Sequence, residues 1–198
     1  MNTPLWADVD PEDFPAVTLD VGHSLFRIHR TMYDPLHYSA SDTGRWDPPI
    51  FARAEYGTCY LAESILGAYL EVFARSVPIR ESQLDERVVS EVQLTRPLRL
   101  ADLTSAAMAG RVGPIPELSV GPSYTEAQQL SARLRNAGFD GIRYHARHDP
   151  TAGSRSIAVF SDEAGSLSPI KTMPIPDHVI ATGEQEFEMF VLPDSPLY

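Results

Sequence analysis

Glu71 stands in the stretch Ser64–Arg75, where Ile65, Leu66, Tyr69, Leu70 and Phe73 recur at helical spacing. It lies opposite that apolar stripe, among Ser64, Gly67, Ala68 and Ala74. A plain solvent face would carry long charged side chains, and small residues around one carboxylate leave room for a ligand. The other reading is an exposed glutamate paired with Arg75 one turn on. Upstream, Gly44-Arg45-Trp46-Asp47-Pro48-Pro49 joins tight backbone geometry to two stiffening prolines. A rigid loop presenting Arg45 and Trp46 could grip an anion and a ring. It could equally be a turn with Trp46 packed inward and Arg45 exposed. Arg27 sits between apolar Phe26 and Ile28, on the same side of a short strand as Leu25 and His29. A partly buried arginine needs an anionic partner, either a ligand phosphate or a structural carboxylate. Tyr60 suits a site wall or plain sheet packing.

Other chemistries find less support. His145 and His148 are spaced as a strand and loop pair with no third ligand in view, so a metal site is not expected. No GxSxG marks a serine nucleophile. No GxGxxG follows a strand and no GxxxxGK[ST] occurs, so Rossmann and P-loop nucleotide sites lack their phosphate loop.

The elements that must hold these residues follow from periodicity and punctuation. Leu25–His29 predicts a strand, and the prolines and glycine of 33–49 predict a long loop, a common place for function. Cys59–Ala62 predicts a strand end that leads into the helix carrying Glu71. Val88–Leu100 alternates like one strand bent near Pro97. Ser123 and Glu126 match a capping box, so a helix from Tyr124 to Asn136 should follow and close at Gly138. Ile142–Tyr144 and Ser156–Phe160 predict two more strands. The tail after Gly165 is proline-punctuated, with a final strand near Phe187–Leu192. Strands and helices mix without strict alternation, so the expected class is α+β with a largely antiparallel sheet.

The 198 residues suit one domain with short extensions. A net charge of −11 opposes non-specific nucleic-acid binding but permits a local arginine cluster for a small anion. Lys171 is the sole lysine, so almost every cation is a guanidinium that can grip phosphate through two hydrogen bonds. A high genomic G+C content would produce the same bias. The single cysteine, Cys59, sits in an apolar run and rules out an internal disulfide. No stretch is apolar enough to span a membrane, and the acidic, proline-broken start is unlike a signal peptide, so a cytoplasmic protein is expected.

Taken in order, Phe26-Arg27-Ile28, Gly44-Arg45-Trp46-Asp47-Pro48-Pro49, Gly57-Thr58-Cys59-Tyr60-Leu61-Ala62-Glu63-Ser64 and Leu70-Glu71-Val72-Phe73 resemble the RES domain, a family named for its Arg, Glu and Ser. Tyr124-Thr125 with Gln128, then Gly138-Phe139-Asp140-Gly141-Ile142-Arg143-Tyr144, then Ile157-Ala158-Val159-Phe160 extend the match over residues 22 to 162. The resemblance implies a domain at 22–165 between a lead-in at 1–21 and a packed extension at 166–198. It implies an ADP-ribosyltransferase-like split sheet with flanking helices. It also implies a toxin that degrades NAD+ by hydrolysis or phosphorolysis and is restrained by an Xre-like antitoxin. NAD+ would then be the substrate rather than a resident cofactor. Glu71, Arg45 and Tyr60 would be catalytic, and Arg27, Trp46, His29, Thr125 and Gln128 would bind substrate. Relatives that modify proteins make a protein ADP-ribosyltransferase the alternative, and an inactive module that binds NAD+ or an antitoxin is another. The chain could also pair with itself. Members often carry a serine after the Gly-Ile-x-Tyr strand, where this chain has Ala146. Thr125, Ser154 and Ser156 are the hydroxyls that could substitute, with Thr125 the first choice.

Overall fold

A computed structural model describes residues 8–108, 124–146, 149, 151, 153–161 and 165–194. Strands β1 (Ala16–Leu19) and β2 (Ser24–Arg30) are followed by a long loop, then β3 (Thr58–Ala62) and helix α1 (Ile65–Phe73). Next come β4 (Ile79–Arg80), α2 (Glu81–Asp85), β5 (Arg87–Leu94) and β6 (Leu98–Asp102). The order continues with α3 (Thr125–Asn136), β7 (Gly141–His145), β8 (Arg155–Phe160), β9 (Leu167–Pro174), α4 (Asp177–Phe187) and β10 (Val191–Leu192). The class is α+β, as expected.

Among the described residues, eight strands form one sheet in the order β1-β6-β7-β8-β3-β2-β5-β9, and β10 pairs with β4 in a second, two-stranded sheet. Within the large sheet, β6 with β7 is parallel and the other neighbours are antiparallel. Seven registered pairs join β2 to β5, and five join β3 to β8. Between β2 and β3 the register has one pair, Phe26 with Ala62. The sheet is therefore split there, which is the feature that makes the site. Leu19 of β1 and Leu167 of β9, from opposite edges, share one apolar cluster with Leu25, Leu61 and Val92, so the sheet curls around it. On its other side α3 packs Leu130 and Leu134 against Ile142 and Phe160.

Helix α1 begins because the Ser64 Oγ accepts the Gly67 N–H, filling one of the four orphan donors of the first turn. Its Tyr69, Leu70 and Phe73 pack with Ile28, Val89 and Val179, which seats it over β2 and against α4. Helix α3 closes with Gly138 at φ +80, as its position predicts. The expected cap Ser123 lies outside the described residues, and Tyr124 at the N-cap makes no side-chain cap bond.

Three expectations change. Val88–Leu100 is not one bent strand. Pro97 offers no N–H to a ladder, and the Asp140 carboxylate accepts from Arg96 and the Arg99 amide. The chain thereby crosses to the far half, where β6 pairs with β1 and β7. The tail holds a helix, α4, in addition to short β10. The boundaries at 21 and 165 cut the sheet, because β1 lies before one and β9 after the other. Among the described residues no helix is long and apolar enough to cross a membrane.

Candidate active site

Where β2 and β3 part, a cavity of about 300 Å³ opens. Its walls are Phe26, Arg27 and Ile28 of β2, Tyr60 to Ala62 of β3, and Ala68, Glu71 and Val72 of α1. Thr43 to Arg45, Arg75, Tyr124 and Tyr144 complete them. Among the described residues, one carboxylate thus shares a small space with three guanidiniums.

Glu71 is half-buried and projects from the face of α1 turned toward the split. The Ser156 hydroxyl donates to its Oε1 at 3.2 Å. Ser156 is fully buried on β8, in register with Ala62 on one side and Tyr144 on the other. Tyr144 also bonds to Ser156, and its phenol is held well above the usual range. Burial is the largest cause and the Glu71 charge adds to it, against the Ser156 bond and the Arg45 and Arg75 charges. A neutral phenol, a hydroxyl and a carboxylate therefore form one short chain, whose two ends, Tyr144 and Glu71, line the cavity. The small residues beside Glu71 divide in role. Ala68 faces the cavity. Gly67 is buried, and a methyl group there would touch Ser64, Ala62 and Ser154, so its size serves close packing.

Arg45 is almost buried, and its guanidinium carbon lies 4.5 Å above the Tyr124 ring, a cation–π arrangement that limits its freedom. The loop behind it is anchored densely. Fully buried Asp47 accepts from the Ser39, Ser41 and Tyr60 hydroxyls and from the Gly44 amide. The Gln128 amide donates to the Gly44 carbonyl at 3.0 Å, and Thr58 and Ser131 donate to the Trp46 carbonyl. Burial, then the Asp47 charge, raises the Tyr60 phenol far above its usual range, so it stays a donor. Its oxygen also accepts the Trp46 N–H. Tyr60 therefore offers its ring, not a free hydroxyl, to the cavity.

A family model described as the RES domain matches residues 24–178. The chain belongs to the RES domain family. This RES domain is also similar in fold to a chain of the crystal structure titled as the M. tuberculosis MbcT-MbcA toxin-antitoxin complex. The TM-score is 0.64 and the identity 18%, over 83% of this chain and 90% of that one. The likeness is one of fold, a large and mostly antiparallel sheet with flanking helices. No curated protein matches the sequence.

Of the residues expected to act, this RES domain brings Arg27, Arg45, Tyr60 and Glu71 to one cavity. Arg27 spends one terminal nitrogen on the loop, donating to the carbonyls of Pro35 and His37. The other four lie off the cavity wall. Trp46 has no exposed surface and packs on Tyr144 at 5.7 Å between ring centres; the inward alternative holds for it, but not for Arg45. His29 is buried, its Nε2 2.8 Å from the Ser90 hydroxyl. Gln128 is committed to the loop carbonyls, and Thr125 is exposed on α3. The hydroxyl at Glu71 is Ser156 rather than Thr125, because the β3–β8 pairing delivers β8 to the split. Tyr144 and Asp47 were missed as site residues. Their signals were the tyrosine on the strand paired with Ser156 and an acid inside a Gly-Arg-Trp-Asp loop. His145 ends β7, and His148 lies outside the described residues.

Proposed function

We propose that this RES domain cleaves the nicotinamide–ribose bond of NAD+, as the toxin of a toxin–antitoxin pair. The observation that carries the reading is Glu71, held by Ser156 in a cavity walled by Arg27, Arg45 and Arg75. Breaking that bond passes through an oxocarbenium-like state. A fixed carboxylate beside the ribose stabilises the developing positive charge and can bind a ribose hydroxyl. Guanidiniums suit the pyrophosphate, through charge-assisted bonds. The ring of Tyr60 suits the nicotinamide or ribose. Nicotinamide leaves neutral, so no strong general acid is required, and the high phenols of Tyr60 and Tyr144 fit that. Ser156 supplies a hydroxyl where Ala146 has none, which favours an enzyme over an inactive binding module. The titled complex of the structural relative supports an antitoxin partner, which we assign to an Xre-like protein, and such a pair works in the cytoplasm.

The test is NAD+ consumption by purified protein, with and without phosphate, the products separated by mass. Free nicotinamide with ADP-ribose means water is the acceptor, and a phosphorylated ADP-ribose means phosphate is. Label carried from NAD+ onto a protein would replace this reading by protein ADP-ribosylation. Folded, partner-free protein that binds NAD+ and leaves it intact would replace it by the binding module.

A further inference from the structure

We infer that Asp47 is a positioning residue, whose buried carboxylate sets the loop that aims Arg45 into the cavity. The kinetic part of this inference rests on the NAD+ reading above; the geometry does not. A carboxylate without exposed surface is costly unless its lone pairs are filled. Asp47 fills them. Its Oδ2 accepts from Ser39 Oγ at 2.7 Å, Ser41 Oγ at 2.9 Å and the Gly44 N–H at 2.9 Å. Its Oδ1 accepts the Tyr60 O–H at 2.9 Å.

These donors come from the arm of the loop that precedes Asp47 and from β3. A surface turn needs one such bond; four tie the loop into a single shape. Arg45 sits between the clamped Gly44 amide and the clamped Asp47 side chain. Its backbone therefore has little freedom, and its side chain is confined further by Tyr124. Position 44 leaves no room for a side chain on the Asp47 side, so the clamp and the glycine belong together. Trp46 is held separately by its own core contacts and by Thr58 and Ser131. Loss of the clamp should thus misplace Arg45 without emptying the core.

The experiment is a double-mutant cycle on NAD+ turnover, with Asp47→Ala, Arg45→Ala and the double variant. A misplacement near 1 Å costs about 100-fold in rate, so Asp47→Ala should lower kcat/KM by about that factor. If Asp47 acts through Arg45, the double variant should lie within about twofold of Arg45→Ala alone. Asp47→Asn keeps one oxygen for the Ser39, Ser41 and Gly44 donors and should recover part of the loss. A double variant that shows the product of both single losses overturns the inference, as does Asp47→Ala with wild-type kcat/KM. Should Asp47→Ala fail to fold, the pair Ser39→Ala with Ser41→Ala removes two of the donors and enters the same cycle. If wild-type protein leaves NAD+ intact, the functional reading has failed and the clamp is tested by amide exchange alone. Asp47→Ala, or that serine pair, must then speed exchange across residues 39–47 while α1 stays protected. Unchanged exchange there overturns the clamp.

Discussion

One added methyl group, in Gly44→Ala, probes the loop most directly. The new Cβ would overlap Asp47 Oδ1 and lie 2.5 Å from the Tyr60 hydroxyl. Neither group can step back freely, because Ser39 and Ser41 hold Asp47 and the Trp46 N–H holds Tyr60. Overpacking of this kind costs about 1–3 kcal/mol. Loosening the Gly44–Asp47 and Tyr60–Asp47 hydrogen bonds adds about 1 kcal/mol each. The reduced freedom of alanine in the unfolded chain returns up to about 1 kcal/mol. The net loss is about 2–5 kcal/mol, which for a chain of this size lowers Tm by roughly 4–20 °C. Thermal melting by circular dichroism reads it, and NAD+ turnover should fall in the same variant as Arg45 shifts. A Gly44→Ala protein that melts within about 2 °C of wild type and keeps full turnover would refute the crowding argument.

Three further outcomes are expected. Glu71→Gln should lower NAD+ turnover by at least about 100-fold while Tm moves little, since Glu71 is half-buried on the cavity wall; normal turnover in folded protein would remove Glu71 from the site. Tyr69 has no exposed surface and its hydroxyl has no hydrogen-bond partner among the described residues, so Tyr69→Phe should leave urea stability unchanged or raise it by about 1 kcal/mol, and a clear loss would mean the hydroxyl is bonded. Burial raises the Cys59 thiol from 9.0 to about 11, with Arg27 opposing. Above pH 9 the unfolded thiol ionises and the folded one does not, so the unfolded chain binds fewer protons and stability falls. The contribution is intact below pH 9 and declines toward pH 11 by about 3 kcal/mol. Melts of wild type and Cys59→Ala across that range should diverge in slope, and parallel slopes would contradict it.

Much of the frame was legible because its rules are local. The period of Ile65, Leu66, Tyr69, Leu70 and Phe73 placed Glu71 off the apolar stripe of α1. Alternation placed β2, β3, β7 and β8, and prolines marked the long loop. Two edges were misread for equally physical reasons. Val88, Val92, Leu94, Leu98 and Leu100 keep one phase of alternation across Pro97, yet a proline without an N–H ends the ladder and sends β6 to the other half. Strand β9 is exposed at most positions and contains Pro169, Pro174 and Lys171, features of a protected edge that resemble a loop in sequence.

By itself, then, the order of residues determined the class of fold, the helix that carries Glu71, and an arginine loop stiffened by prolines. The tertiary structure decided which way that loop faces. Trp46 turns into the core and Arg45 into the cavity because Asp47, Tyr60, Thr58, Ser131 and Gln128 hold the backbone between them. It also decided which hydroxyl serves Glu71. Ser156 lies 85 positions away in the chain, and it arrives only because β8 pairs with β3 while α1 docks across the split. Local periodicity is set by neighbours three or four residues apart. A contact of that range depends on strand pairing and helix packing together, and only the assembled fold contains it.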